Sequence, residues 1–170
     1  MTILIVEDAD LMRLRLRDIL VSELNLENEN IHEAKNGHEA LSKYDSINPD
    51  YVFLDIYMPG ISGVDTVEEI KKIDPDAYII MVTSSSDKQT VINCIRNGAK
   101  DYIKKPPTLE KVSRALNIDV FNPRPVKRAD RQVEILSTTT IDNNDLESRK
   151  KAANRDIIEE IIHDTSFEQS

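Results

Sequence analysis

Cysteine is nearly missing from this chain, with one residue, Cys94, in 170. That excludes an internal disulfide framework and fits a reducing compartment. No apolar run approaches the ~20 residues of a membrane span. The longest, residues 77–82, has the length of a strand. The first residues carry no basic stretch, and Glu7-Asp8 falls where a signal peptide needs apolar residues. An excess of positive charge is also lacking. The formal net charge is −9, which argues against indiscriminate binding of nucleic acid or of a membrane surface. Residues 123–170 hold 8 Lys+Arg against 10 Asp+Glu, so a net −7 belongs to residues 1–122. No internal repeat is visible. The expectation is a cytoplasmic protein of one domain plus some surplus, because 170 residues with 39% hydrophobic content suffice for a real core.

What the chain does have is a series of short apolar runs, each ending in a chemically distinctive residue. Residues 51–54, Tyr-Val-Phe-Leu, are continuously apolar, the mark of a strand buried on both faces. They end in Asp55, and the Pro59-Gly60 turn follows. Residues 2–6 form a second such run and end in Glu7-Asp8. Residues 78–82 close on Thr83-Ser84, residues 101–103 precede Lys104-Lys105-Pro106, and residues 31–34 make a weaker strand. Helical patterns lie between them: 10–24, with Asp10 as cap and Met12, Leu16, Ile19 and Leu20 at helical spacing; 38–47, stopped by Asn48-Pro49; 62–73; 87–97, with Asp87 as cap and Gly98 as stop; and 108–118. Strand and helix alternate five times, which predicts an α/β domain with a parallel sheet covered on both faces. Arg13, Arg15 and Arg17 read as a solvated helix face, and Cys94 as an inert small hydrophobe. His32, His38 and His163 show no ligand spacing and read as surface residues.

Ligands of such sheets gather just outside the carboxyl ends of the strands. The rim predicted here receives Glu7 and Asp8 from the first strand, Asp55 from the third, Thr83 and Ser84 from the fourth and Lys105 from the fifth. Two unit charges ~4 Å apart at an effective dielectric of ~20 repel by roughly 4 kcal/mol, so three carboxylates call for a cation. Mg²⁺ suits a few carboxylates completed by waters and phosphate oxygens. The Lys105 ammonium and the Thr83 hydroxyl suit a phosphoryl group instead. Asp55, central and flanked by both sets, is the natural nucleophile for an acyl phosphate.

With these residues in hand, the chain resembles the receiver domain of two-component response regulators. The matching pieces are Ile-Val-Glu-Asp at 5–8, Ala-Lys-Asn-Gly-His-Glu-Ala-Leu at 34–41, the whole of 49–63, Met-Val-Thr-Ser at 81–84 and Asn-Gly-Ala-Lys-Asp-Tyr-Ile-Lys-Lys-Pro at 97–106, all in family order. The resemblance implies a flavodoxin-like sheet of order 2-1-3-4-5 and a receiver domain over residues 1–120. It implies Asp55 as phosphoacceptor, Mg²⁺ at Glu7, Asp8, Asp55 and the backbone carbonyl of Tyr57, Lys105 as phosphate-binding lysine, Thr83 as switch hydroxyl and Tyr102 as switch aromatic. The implied partners are a histidine kinase or histidine phosphotransfer protein and a downstream protein target. The implied role is a phosphoacceptor signalling protein, which assists its own phosphorylation and dephosphorylation, rather than an enzyme with a separate substrate.

Two alternatives belong to other classes. One is a receiver-like interaction module that works without phosphorylation. The other is an aspartate-nucleophile phosphatase of the haloacid-dehalogenase kind. It needs a second aspartate two residues beyond the nucleophile, where this chain has Tyr57. Residues 121–170 form a C-terminal extension. Asn122-Pro123-Arg124-Pro125 opens a linker, residues 132–141 alternate like a weak strand, and residues 145–163 carry Ala153, Ile157 and Ile161 on one helical face beside Ile158 and Ile162. There is no helix-turn-helix pattern, so direct nucleic-acid binding is not expected. The extension reads as a partly disordered tail or as a docking segment. Its place beyond the linker favours contact with another molecule, either a partner protein or a second copy in a homodimer.

Overall fold

The apolar runs form a single sheet. In the computed structural model, which describes residues 1–84, 88–118 and 143–164, β1 spans Ile3–Val6, β2 Ile31–Ala34, β3 Tyr51–Asp55, β4 Ile79–Thr83 and β5 Asp101–Lys104. Every neighbouring pair is parallel and the order is β2-β1-β3-β4-β5, the flavodoxin-like doubly wound arrangement. The helices are α1 Asp10–Asp18, α2 Gly37–Ile47, α3 Gly63–Ile73, α4 Lys88–Arg96, α5 Leu109–Ala115 and α6 Asn143–His163.

Why the strands read as continuous apolar runs is plain from the two cores. Successive side chains of a strand point to opposite faces. Leu4, Val6, Val52, Leu54, Ile79 and Met81 pack with α2, α3 and α4 on one side. Ile3, Ile5, Tyr51, Phe53, Ile80, Val82 and Ile103 pack with α1 and α5 on the other. Tyr51 is tolerated inside because its hydroxyl donates to the Leu116 carbonyl at 3.0 Å.

Side-chain caps begin α2, α3 and α5, where Asn36, Ser62 and Thr108 accept from backbone N–H groups. Asn48 (φ 44°) and Gly98 (φ 110°) turn the chain out of α2 and α4 through left-handed conformations. The first helix departs from the expectation in two ways. Asp10 is its first residue and pairs with Arg13, while Ala9 holds the cap position without a side-chain bond. The α-helical part ends at Asp18 and continues as a π-helical turn, Ile19–Glu23, closed by Leu24 N–H donating to Ile19 O at 2.9 Å. The wider turn keeps Ile19, Leu20 and Leu24 all buried.

The expected C-terminal helix is present, but its isoleucine face meets the chain's own α4. Ile161 is fully buried in the same core cluster as Val91, Ile92 and Ile95 of α4, with Ile157 and Ile158 partly buried against that cluster, whereas Ile162 is exposed. Between Ile118 and Asn143 lie 24 residues, a length that reaches up to ~80 Å when extended, ample to return the helix to this face. The expected Asp87 cap and the weak strand at 132–141 lie outside the described residues. Among the described residues no helix is long and apolar enough to cross a membrane.

Candidate functional site

The C-terminal ends of β1, β3, β4 and β5 meet at one rim. β3 ends in Asp55, which is 4% exposed. Its Oδ1 accepts from the Ile56 N–H at 2.7 Å and its Oδ2 from Lys105 Nζ at 2.9 Å. The chain then returns closely, with Gly63 N–H donating to Ile56 O at 2.8 Å. A Cβ on Gly63 would stand 2.2 Å from Asp55 O, so this glycine lets α3 begin against the backbone that carries Asp55.

β1 delivers the acidic pair unequally. Glu7 extends the ladder by one bond, its N–H donating to Ala34 O at 3.1 Å, and the residue is 1% exposed. Asp8 is exposed. Carboxylate oxygens of Glu7, Asp8 and Asp55 nonetheless lie within 4.8 Å of one another. Lys105 follows β5 directly. Its N–H donates to Thr83 O at 2.8 Å, and its ammonium sits 2.6 Å from Glu7 Oε2 and 2.9 Å from Asp55 Oδ2. The contact with Glu7 Oε2 is close in distance yet misaligned for a hydrogen bond, so it counts as charge pairing and leaves a buried acceptor to be completed. Thr83, the last residue of β4, is fully buried beside Lys104 of β5, and Ser84 is exposed.

The charges perturb one another. Burial raises the Glu7 carboxyl above the usual carboxylate range, and Asp55 adds to this, while Lys105 and the Ala9 N–H oppose it. Burial alone would depress the Lys105 ammonium, but pairing with Glu7 and Asp55 outweighs it and holds the pKa above the ordinary lysine value. Three carboxylates against one ammonium leave an electronegative cup of hard oxygen donors. That donor set, with Glu7 Oε2 lacking a hydrogen bond, fits a small divalent cation such as Mg²⁺.

The structure therefore brings together Glu7, Asp8, Asp55 and Lys105, with Thr83 at the adjoining strand end. Tyr57 lies just beyond, with 53% of its surface exposed. Tyr102 sits farther along β5, 6% exposed, its hydroxyl donating to Asp164 Oδ2 at 3.2 Å. Sequence reasoning missed Arg13. Instead of lying on a solvated face it is 6% exposed, and its guanidinium donates to Glu7 O at 2.9 Å and Glu33 Oε2 at 3.0 Å while pairing with Asp10. The only available signal was its position one turn after the acidic pair. Asp164, which meets Tyr102, was also missed, because nothing local ties residue 164 to residue 102.

Comparison with known proteins converges on one family. The family model described as response regulator receiver domain matches residues 3–117. The chain is 44% identical over 115 residues to the chemotaxis protein CheY of Thermotoga maritima, covering 68% of this chain and 93% of that protein. It has the same identity and coverage with the chemotaxis protein CheY of Bacillus subtilis. Among solved structures, a CheX–CheY–BeF3–Mg²⁺ complex from Borrelia burgdorferi matches with a TM-score of 0.60 at 33% identity, over 67% of this chain and 84% of that one.

Proposed function

The chain belongs to the response regulator receiver family, and from that premise we propose that Asp55 is its phosphoacceptor. A histidine kinase or histidine phosphotransfer protein is the donor. An Asp55 carboxylate oxygen bonds to phosphorus as the donor's P–N bond breaks, the electron pair leaving with the imidazole and yielding an acyl phosphate. The observation that carries this reading is the buried Asp55 held by Lys105 within a three-carboxylate cup.

Each residue has a part. The Ile56 N–H and Lys105 orient the Asp55 carboxylate, and Lys105 stays charged to neutralise phosphoryl oxygens. Glu7, Asp8, Asp55 and the Tyr57 carbonyl would hold Mg²⁺, which supplies positive charge against the incoming phosphoryl group when bound. The Thr83 hydroxyl senses the phosphoryl oxygens at the end of β4, and Tyr102 carries the change along β5 to the surface read by a downstream protein. The modification adds about −1.5 to −2 charges at this rim. A cytoplasmic location accords with this role.

The test is labelling by a small acyl-phosphate donor, read by intact-protein mass. Labelling should require Mg²⁺ and should vanish in Asp55→Asn, whose amide keeps the shape but is a poor nucleophile. Undiminished labelling of Asp55→Asn would identify another acceptor. An absence of labelling in the wild type with Mg²⁺ present would instead favour a module that works without phosphorylation.

A further inference from the structure

A cleft of about 520 Å³ opens beside β5, and its size falls in the range of ~300–1,000 Å³ typical of small-molecule sites. α5 contributes Lys111 and Arg114 to the lining, the end of α6 contributes Glu160 and Asp164, and β5 contributes Tyr102. The cleft shares one residue with the carboxylate cup, Lys105, whose ammonium is already held by Glu7 and Asp55. The charges of the lining are of both signs, yet they do not neutralise one another. Lys111 Nζ donates to a backbone carbonyl, that of Lys104, at 3.0 Å. Among the described residues none of Lys111, Arg114 and Glu160 has an ion-pair partner. Arg114 favours the charged form of Asp101 from a distance, without pairing with it. Asp164 accepts from the Tyr102 hydroxyl at 3.2 Å, which ties the acidic end of the lining to β5. Two cations and two acids around one cleft select against an ion of a single sign. A simple anion drawn by α5 is repelled by Glu160 and Asp164, and a simple cation is repelled by Lys111 and Arg114.

We propose that this cleft is a binding site for a small zwitterion, a molecule whose carboxylate and ammonium are separated by a short apolar chain. The carboxylate meets the Arg114 guanidinium, whose planar fork matches it, with the Lys111 ammonium beside it. The ammonium meets Glu160, and the apolar chain lies against Tyr102. Arg114 and Glu160 are both exposed, so solvent screens each contact and holds its worth to at most about fivefold in affinity. A Kd of about 1 mM is the expected order. The inference goes beyond the phosphoacceptor reading and stands apart from it, since it is tested without Mg²⁺ or any phosphoryl donor.

The probe is ε-aminocaproate, titrated into the isotopically labelled full-length chain at low salt and followed by amide chemical shifts. Caproate, which lacks the ammonium, and hexylamine, which lacks the carboxylate, are the comparison ligands. Saturable shifts are expected at residues 102–114 and 160–164, and each one-charge ligand should bind about two- to fivefold more weakly than the zwitterion. Arg114→Gln should remove the advantage of ε-aminocaproate over hexylamine and keep its advantage over caproate. Glu160→Gln should do the reverse. Both side chains are exposed, so the variants should fold as the wild type does, which the thermal midpoint verifies. The absence of saturable shifts at about 20 mM probe overturns the proposal. Caproate binding as tightly as ε-aminocaproate also overturns it, because the cleft would then be a plain anion site. So do variants that leave both preferences unchanged, since the ligand would then sit elsewhere.

Discussion

Replacing Arg13 with alanine should damage the site from outside it. The guanidinium is the donor that Glu7 O uses, 2.9 Å away in a buried position, and it is itself held by Glu33 at 3.0 Å. Truncation leaves a buried carbonyl without that partner at the point where β1 hands Glu7 to the rim, a loss of about 1–3 kcal/mol. Its aliphatic stem also leaves a gap under α1, which brings the total to about 2–3 kcal/mol. The exposed Asp10 pairing adds little, because solvent screens it. For a chain of this length that corresponds to a fall of about 5–10 °C in thermal midpoint. Chemical and thermal melts followed by circular dichroism measure it. Calorimetric titration with Mg²⁺ should show several-fold weaker binding as Glu7 loses its fixed position. Arg15→Ala is the control: Arg15 is half-exposed and, among the described residues, pairs with Asp18 and Glu23 at the surface, so its effect should stay within about 0.5 kcal/mol. Equal, near-neutral results for the two variants would refute the claim that the buried guanidinium organises the strand end.

Three further outcomes follow from the same geometry. Gly63→Ala drives a methyl group to within 2.2 Å of Asp55 O and 2.7 Å of Ile56 Cα; the backbone must shift, costing about 1–3 kcal/mol by denaturant melt and lowering acyl-phosphate labelling, and an undiminished rate would show the close approach to be dispensable. Lys105→Met should move two readouts in opposite directions, with Mg²⁺ affinity rising about tenfold as a competing positive charge leaves the cup and labelling falling sharply; weaker Mg²⁺ binding would contradict the charge argument. Cys94 is buried and its thiol is pushed up to about 12 by that burial, so a disulfide reagent at pH 8 should react only after unfolding, and rapid modification of the native chain would show that the α4 face opens.

Much of the fold was legible because a parallel sheet demands strands that are apolar on both faces, and Tyr51–Leu54 can satisfy that demand in few other ways. The rim was legible for a different reason. Asp55, Thr83 and Lys105 each end an apolar run, and parallel strands carry all such ends to one side. What stayed hidden depends on distances that local pattern does not encode. Glu7 and Asp8 are adjacent acids, and their burial differs only because one more ladder bond, to Ala34, continues through Glu7. Arg13 alternates with leucines as a surface residue would, yet its long stem lets the guanidinium reach inward to a carbonyl and a strand-borne glutamate. The isoleucine stripe announced that it needed a surface without saying whose. Placing it on α4 required knowing that Val91, Ile92 and Ile95 of α4 belong to the same apolar cluster as Ile161.

One strand joins the two halves of this molecule. β5 ends at Lys104, and Lys105 reaches back to Asp55 while its N–H is bonded to Thr83 O. Three residues earlier, Tyr102 gives its hydroxyl to Asp164 in the C-terminal extension. Under the proposed function a charge added at Asp55 would act first on Lys105, whose ammonium it already holds, and Lys105 directly follows the end of β5. Among the described residues the strand is paired on one side only, with β4, so its end is less constrained than those of β1 or β3, which have neighbours on both sides. An edge strand that carries the hydroxyl bonded to Asp164 and leads directly into the lysine paired with Asp55 is where site and surface can be coupled at least cost. Under the proposed function such coupling would be reciprocal: whatever factor a phosphoryl group on Asp55 applied to the packing of α6, α6 would apply to the equilibrium for phosphorylation.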